Sequence, residues 1–322
     1  MEKYTRSRRI NSKAMQTLLA FSSLILLVII FSIASPVFLT GMNIVTILLM
    51  TAVNGILAVG ITFIIVSGGI DLSAGTVMTF CSVIAGVLLT NLKLPLAVGI
   101  IGAIFAGALC GFVNGTAIAK LKLPPFIATL GMMNITKGLN LIVTRARPIY
   151  FTETPLFALI TPTLIPVLKI PLGVVIFFAA AGIAAFILSK TIIGRYCFGI
   201  GSNEESTRLS GINTDAWKIA IYSISGAFFG IAGVVMASRV ASAQPSLGPG
   251  YEMDAIAAAV IGGASLAGGE GGILGTVIGA FIITVLTNGL RILSVPQEWQ
   301  MVATGLIIIG AVYLDIIRRK VK

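Results

Sequence analysis

Residues 190–218 read KTIIGRYCFGIGSNEESTRLSGINTDAWK, the only long polar stretch in an otherwise apolar chain. Lys190, Arg195, Arg208 and Lys218 supply its positive charges, and Glu204, Glu205 and Asp215 its negative ones. Apolar runs long enough to cross a bilayer flank it on both sides. Charges and irregular backbone go unsatisfied in hydrocarbon, so this stretch is expected to lie in water as a loop. Its glycines and charges suit docking against another protein. The rest of the chain is then expected to build a membrane passage that responds to this loop.

Composition agrees. Of 322 residues, 57% are hydrophobic and 10% charged, and the mean hydropathy is +1.05. Soluble domains carry about 25% charged residues. With repeated apolar runs of about 18 residues or more, this predicts an all-α, polytopic membrane protein. A β-barrel would show short alternating segments instead. The net charge of +11 does not point to nucleic acid. The basic residues sit at the ends of apolar runs, as membrane topology requires. The absence of His removes the usual general base and the commonest metal ligand. Cys81, Cys110 and Cys197 are far apart and read as small hydrophobes. No metal site or cofactor is expected.

Residues 1–16 carry Lys3, Arg6, Arg8, Arg9 and Lys13 against Glu2, followed by an apolar run over 17–34. A signal peptide shares this layout, but the run is longer than a typical h-region, so a first membrane helix with a cytoplasmic tail is expected. Further runs lie at about 44–66, 72–90, 95–119, 124–144, 172–189, 219–238, a short one near 254–267, 273–293 and 299–316. Ten spans put both termini on one side. The segments then assigned inside hold fifteen Lys and Arg, among them Lys120, Lys122, Arg318, Arg319, Lys320 and Lys322. Those assigned outside hold six: Lys93, Arg145, Arg147, Lys169, Arg239 and Arg291. That bias is what the positive-inside rule predicts. The whole of 1–322 reads as one transmembrane domain. Residues 145–171, broken by five prolines, and 240–253 are expected as external loops.

Much of the glycine lies inside the apolar runs, at four-residue spacing in Gly111/Gly115, Gly226/Gly230 and Gly275/Gly279. In lipid this spacing favours close, static helix packing. Two stretches echo one another: VSGGIDLSAG at 66–75 and VIGGASLAGG at 260–269 agree at Val, Gly, Gly, Leu and the last Gly with an offset of 194. A Gly-Thr-Val triplet recurs at 75–77 and 275–277. Gly-interrupted spans in corresponding positions are a signature of transporter repeats. Under ten spans the repeat would be parallel. Asp71, an acid among apolar runs, is a functional candidate that can also cap the helix after it. Lys137, similarly isolated, can snorkel to an interface.

Several long motifs resemble one family, and in its order: SGGIDLSAG (67–75), PPFIATLG (124–131), GRYCFGIGSNEESTRLSGIN (194–213), SAQPSLGPGYEMDAIAAAVIGGASLAGGEGGILGT (242–276) and NGL (288–290). They are similar to the permease subunit of bacterial ABC importers for ribose and similar monosaccharides. The resemblance implies the ten-helix importer permease fold, a dimer with a second permease copy, a cytoplasmic ABC ATPase and an external sugar-binding protein. It places the chain in the bacterial inner membrane. It also implies that residues 190–218 hold the coupling segment, with Gly201, Asn203, Glu204, Arg208, Ser210 and Gly211 shaping or contacting it. The family usually has Ala after the acidic residue of this motif, where Glu205 and Ser206 stand here.

The chain has no Gly-x4-Gly-Lys-Ser/Thr loop, so it lacks that phosphate-cradling chemistry and its energy must come from a partner or an ion gradient. The leading expectation is alternating access, driven by motion of the 190–218 loop. Asn54, Thr62, Ser67, Asp71 and Asn288 are the candidates for lining the passage. The carried molecule can be a pentose, a hexose, a furanose signal or a nucleoside. An ion-coupled transporter would need intramembrane carboxylates or His, and only Asp71 and Asp254 qualify. An intramembrane enzyme finds no His, no paired acids on one span and no Gly-x-Ser-x-Gly.

Overall fold

A computed structural model describes residues 2–152, 154–165 and 170–320. Helix α1 is Glu2–Ala34, α2 Gly41–Val66 and α3 Ala74–Gly86, which a π-helical turn extends over Val87–Asn91. Then follow α4 (Leu96–Ala119), α5 (Pro125–Thr144), β1 (Ile149–Tyr150), α6 (Pro155–Ile160), α7 (Leu172–Lys190), α8 (Ile192–Ser202) and α9 (Glu204–Leu209). The chain closes with α10 (Thr214–Arg239), β2 (Ser242–Ala243), α11 (Tyr251–Ile261), α12 (Ile273–Ile292) and α13 (Gln297–Lys320). Eight described helices are long and apolar enough to cross a membrane: residues 17–34 of α1, then α2, α3 with its π turn, α4, α5, α7, α10 and α12. The protein is a multi-pass, all-α membrane protein. The side chains of the N-terminal basic tail and of Arg318, Arg319 and Lys320, together with Lys169 and Lys322, lie outside the described residues.

Helix α2 is the axis. Every residue from 51 to 67 is buried, and α7, α10, α11 and α12 pack around it. At 26 residues it is about 39 Å long, enough to cross the roughly 30 Å hydrocarbon core. Glycine does set the close packings. Gly107, Gly111 and Gly115 of α4 lie against the backbone of α10 at Gly226, Tyr222 and Ile219, so the two helices run antiparallel at backbone contact. Gly275 and Gly279 of α12 likewise lie against Gly262 and Ala258 on α11.

The short span expected near 254–267 is α11, only eleven residues long. It is half a crossing, about 16 Å. The other half is non-helical chain, with β2 followed by a turn over residues 244–247. Ala243 sits beside Gly86, and Gly248 beside Gly75, eleven residues lower on α3. The chain from Ala243 to Gly248 therefore follows α3 over about the same 16 Å, the rise of eleven helical residues. Gly250, at φ +101°, turns this segment into α11, and both oxygens of Glu252 accept its N–H at 3.0 and 3.2 Å. Broken spans of this kind survive in membranes only where protein covers the backbone.

The sequence echo has a structural counterpart, shifted by one residue. In α2, Gly68 N–H reaches Ile65 O and Gly69 N–H reaches Ile64 O, both at 2.9 Å, with Gly68 at φ +82°. In α11, Gly263 N–H reaches Val260 O and Ala264 N–H reaches Ala259 O, both at 2.9 Å, with Gly263 at φ +95°. Both are Schellman C-caps, and their common offset is 195 rather than 194. α2 and α11 run the same way, because each is antiparallel to α12.

Candidate functional site

The polar stretch at 190–218 is not the irregular loop its composition suggests. It folds as α8, α9 and the first turn of α10. Short polar caps replace long loops: Asn203 Oδ1 accepts Ser206 N–H at 2.9 Å to start α9, and Asn213 Oδ1 accepts Ala216 N–H at 3.0 Å to start α10. Gly211, at φ +83°, ends α9 in the left-handed conformation that favours glycine. Charges then fix the platform. Lys218 Nζ donates to Glu204 Oε2 at 2.6 Å and Arg208 to Glu204 Oε1 at 3.1 Å. Lys122, in the α4–α5 turn, donates to Asp215 at 2.9 Å. Burial raises the Glu204 carboxyl, but Lys218 and Arg208 outweigh it and hold the group below its ordinary range. Glu205, Ser206, Leu209 and Ser210 are left facing outward, with Leu209 83% exposed.

Gly201 joins this platform to the helical bundle. A Cβ at that position would collide with the carbonyl oxygen of Val66, at the end of α2, and with Gly269 N. Val66 O already accepts Gly269 N–H at 2.9 Å. Three segments therefore meet through backbone alone: the end of α8, the end of α2 and the turn between α11 and α12.

A second site lies within the bundle. A cleft of about 200 Å³ opens between α3, α5 and the 245–249 segment. Thr76, Thr79, Lys137, Asn140 and Ser246 give it polar walls, and Leu141, Pro245 and Pro249 apolar ones. Helix α5 buries a polar stripe against α3, made of Thr129, Thr136, Asn140 and Thr144. Thr136 donates to Thr76 Oγ1 at 2.8 Å, and Asn140 Nδ2 to the Thr76 carbonyl at 3.3 Å. Asn140 Oδ1 has no protein partner. From Thr76 a chain of bonds leads inward. Thr76 donates to Ser73 O at 3.0 Å. Ser73 gives its N–H and its hydroxyl to Asp71 at 2.7 and 2.6 Å, and Asn114 donates to Ser73 Oγ at 3.1 Å.

The chain matches, over residues 43–312, the family model described as the permease component of a branched-chain amino acid transport system. It belongs to that permease family. It is 42% identical to the ribose import permease RbsC of Haemophilus influenzae over 92% of both chains. It is also 42% identical to RbsC of Bacillus subtilis, over 97% of this chain and 96% of that one. The fructose import permease FrcC of Rhizobium meliloti is 35% identical over 88% of this chain and 80% of its own. No solved structure matches.

In this permease the six coupling candidates come together: Gly201, Asn203, Glu204, Arg208, Ser210 and Gly211 all lie on α8, α9 and their caps. Their roles differ by geometry. Glu204 and Arg208 are engaged inside the platform, while Ser210 points its hydroxyl back to Ser206 O at 2.9 Å. The five passage candidates do not come together, and none of them borders the cleft. Asn288 donates to Asn43 at 3.0 Å, Thr62 bonds Thr276 at 2.8 Å, and Ser67 bonds Ile64 O at 2.8 Å. Asn54 hydrogen-bonds Asp254. Asp71 organises the turn before α3 rather than capping the helix itself, since Ser73 is the cap residue. Leu209 and the cleft residues other than Lys137, which was read as a snorkelling lysine, went unread in the sequence. The signal for the cleft was there in 129–144: Thr, Thr, Asn and Thr at spacings of seven, four and four mark one polar helix face.

Proposed function

We propose that this permease is the membrane core of an ATP-driven importer of a monosaccharide, ribose in the first instance. Residues 1–322 act as one transmembrane domain in the bacterial inner membrane, with both termini and the α8–α9 platform in the cytoplasm. The bias of basic residues toward that side supports the orientation. An ABC ATPase docks on the platform, where Glu205, Leu209 and Ser210 meet it and the Glu204–Arg208–Lys218 ions hold the shape it grips. A sugar-binding protein delivers cargo at the opposite end, near the β1–β2 pair. A second permease copy completes the passage. The observation that carries this reading is the junction at Gly201, where a water-facing platform is bound by backbone to the central helix. Motion imposed on α9 cannot be absorbed there by side chains, so it passes to α2 and to the α11–α12 turn.

Sugar is preferred to amino acid because the compared relatives are named for ribose, fructose and galactose import. The test is reconstitution with the ATPase and binding protein in proteoliposomes, followed by uptake of labelled ribose. Uptake is expected to require ATP hydrolysis and to survive dissipation of ion gradients. Uptake driven by an ion gradient without the ATPase would replace this reading with that of a secondary transporter.

A further inference from the structure

We infer that the cleft between α3, α5 and residues 245–249 is a transit site for one neutral, single-ring sugar, held between Lys137 and Asn140. The inference rests on the reading of the chain as a sugar-importer permease and assigns that reading a place. Asn140 is 1% exposed, yet its Oδ1 has no partner. A buried acceptor left open costs about 1–3 kcal/mol, so this oxygen is explained if a guest hydroxyl donates to it. Lys137 borders the same cleft one helical turn away and has no ion pair among the described residues. It lies inside a membrane-spanning helix, on a face the rest of this chain leaves exposed, where an unpaired charge is costly in lipid. Its three N–H groups have no use except to donate, and sugar oxygens accept. Thr79 has given its proton to Gly75 O at 3.1 Å and retains lone pairs for a second sugar hydroxyl.

The chemistry of the lining selects the guest. No Asp or Glu borders the cleft, so an amino acid could pair its carboxylate with Lys137 but would leave its own ammonium unpaired. A neutral polyol has no such residue of charge. Pro245, Pro249 and Leu141 give its C–H faces an apolar wall. A volume of about 200 Å³ is smaller than the roughly 300–1,000 Å³ of drug-sized pockets. It suits one ring better than the two of a nucleoside. So few contacts also bind weakly, as a site on a conducting path must.

Two measurements on the complete transporter test this. In proteoliposomes carrying the ATPase and binding protein, Lys137→Leu and Asn140→Leu should each lower ribose uptake per ATP hydrolysed by about tenfold, the worth of one hydrogen bond to a charged or buried group. Lys137→Arg and Asn140→Ser should recover much of it. Separately, Ser246→Cys, in a chain with Cys81, Cys110 and Cys197 replaced by Ala, should react with a water-soluble thiol reagent, and ribose should slow the reaction without ATP. Unchanged uptake per ATP in both leucine variants would overturn the site. So would no protection by ribose, or protection by leucine or a sugar acid in its place. Protection by ribose in a transporter that shows no ATP-driven uptake would leave the site standing and overturn the importer reading instead.

Discussion

On the α8–α9 platform, Glu204 and Asp215 are each held by cations within 4.0 Å. At the α3–α5 cleft, no acid pairs with Lys137 among the described residues, and the buried Asn140 Oδ1 has no hydrogen-bond partner. The platform uses Glu204 and Asp215 to hold its own shape and presents Glu205 with Leu209, its largest apolar projection, to the outside. The cleft spends neutral hydroxyls and amides on its shape and leaves its one charge free. A surface that must hold its geometry while a partner pulls on it benefits from internal ion pairs. A site that must release what it binds does not. The Gly201 junction lies between the two, and it uses no side chain at all.

The largest effect should come from that junction. Gly201→Val places two methyl groups where Val66 O and Gly269 N already stand, and backbone cannot step aside as a side chain can. Overpacking of this kind costs about 1–3 kcal/mol, so uptake should fall more than tenfold while the helical circular dichroism and membrane insertion are kept. Gly138→Ala on α5, where a Cβ meets open space, should cost nothing and serves as the control. Equal behaviour of the two variants would remove the junction from the mechanism. Next in size is Glu204→Ala, which leaves Lys218 and Arg208 without their shared acid. Exposed pairs are worth about 0.2–1 kcal/mol each, and two are lost. ATPase co-purification should weaken several-fold with insertion intact. Arg208→Ala should do less, because Glu204 keeps Lys218.

How much of this was legible in the chain itself depended on the kind of signal. Long apolar runs with basic ends are read directly, and nine of the ten expected spans hold helices of 18 residues or more. The tenth failed in length because the apolar run near 254–267 continues past Ile261, where the Gly262–Gly263 cap ends α11. The platform was visible as a charged stretch, but its helices were not, since the Asn203 and Asn213 caps resemble loop residues until the N–H groups they accept are known. The five passage candidates were scattered for a further reason. Single polar residues such as Asn288 and Thr62 stand out in a hydropathy profile, yet each bonds across to another helix, Asn288 through its Nδ2 with its Oδ1 left unpartnered. The cleft was marked by a period on α5 rather than by any one residue.

Asp71 sharpens the contrast at smaller scale. Its Oδ1 accepts both bonds from Ser73, and an amide oxygen can do the same. Asp71→Asn should therefore keep expression and hold uptake within about threefold, the cost of weakening a charge-assisted bond to a neutral one. Asp71→Leu should lose expression and uptake together. A tenfold fall in uptake for Asp71→Asn at full expression would instead give the carboxylate charge a role in transport, and the reading of Asp71 as a turn-former alone would no longer hold.

The smallest effect concerns pH and the platform alone. Glu204 is depressed below its ordinary 4.5 in the folded protein, so the unfolded chain takes up the proton first as pH falls. The ion pairs with Lys218 and Arg208 therefore contribute fully above that value and are lost as pH drops through the lower, folded one. The carboxylate is partly exposed, with 35% of its side chain in water, so screening keeps the contribution below about 1 kcal/mol. Amide hydrogen exchange in α9, corrected for its intrinsic pH dependence, should show protection lost as pH falls below 4.5. Glu204→Gln should flatten that profile, and raised salt should reduce its amplitude in the unaltered protein. The cleft, whose lining carries no carboxylate, should show no matching change in α5. If Glu204→Gln kept the full pH dependence, the platform's shape would owe nothing to this acid, and its ion pairs would be free to serve the ATPase contact directly.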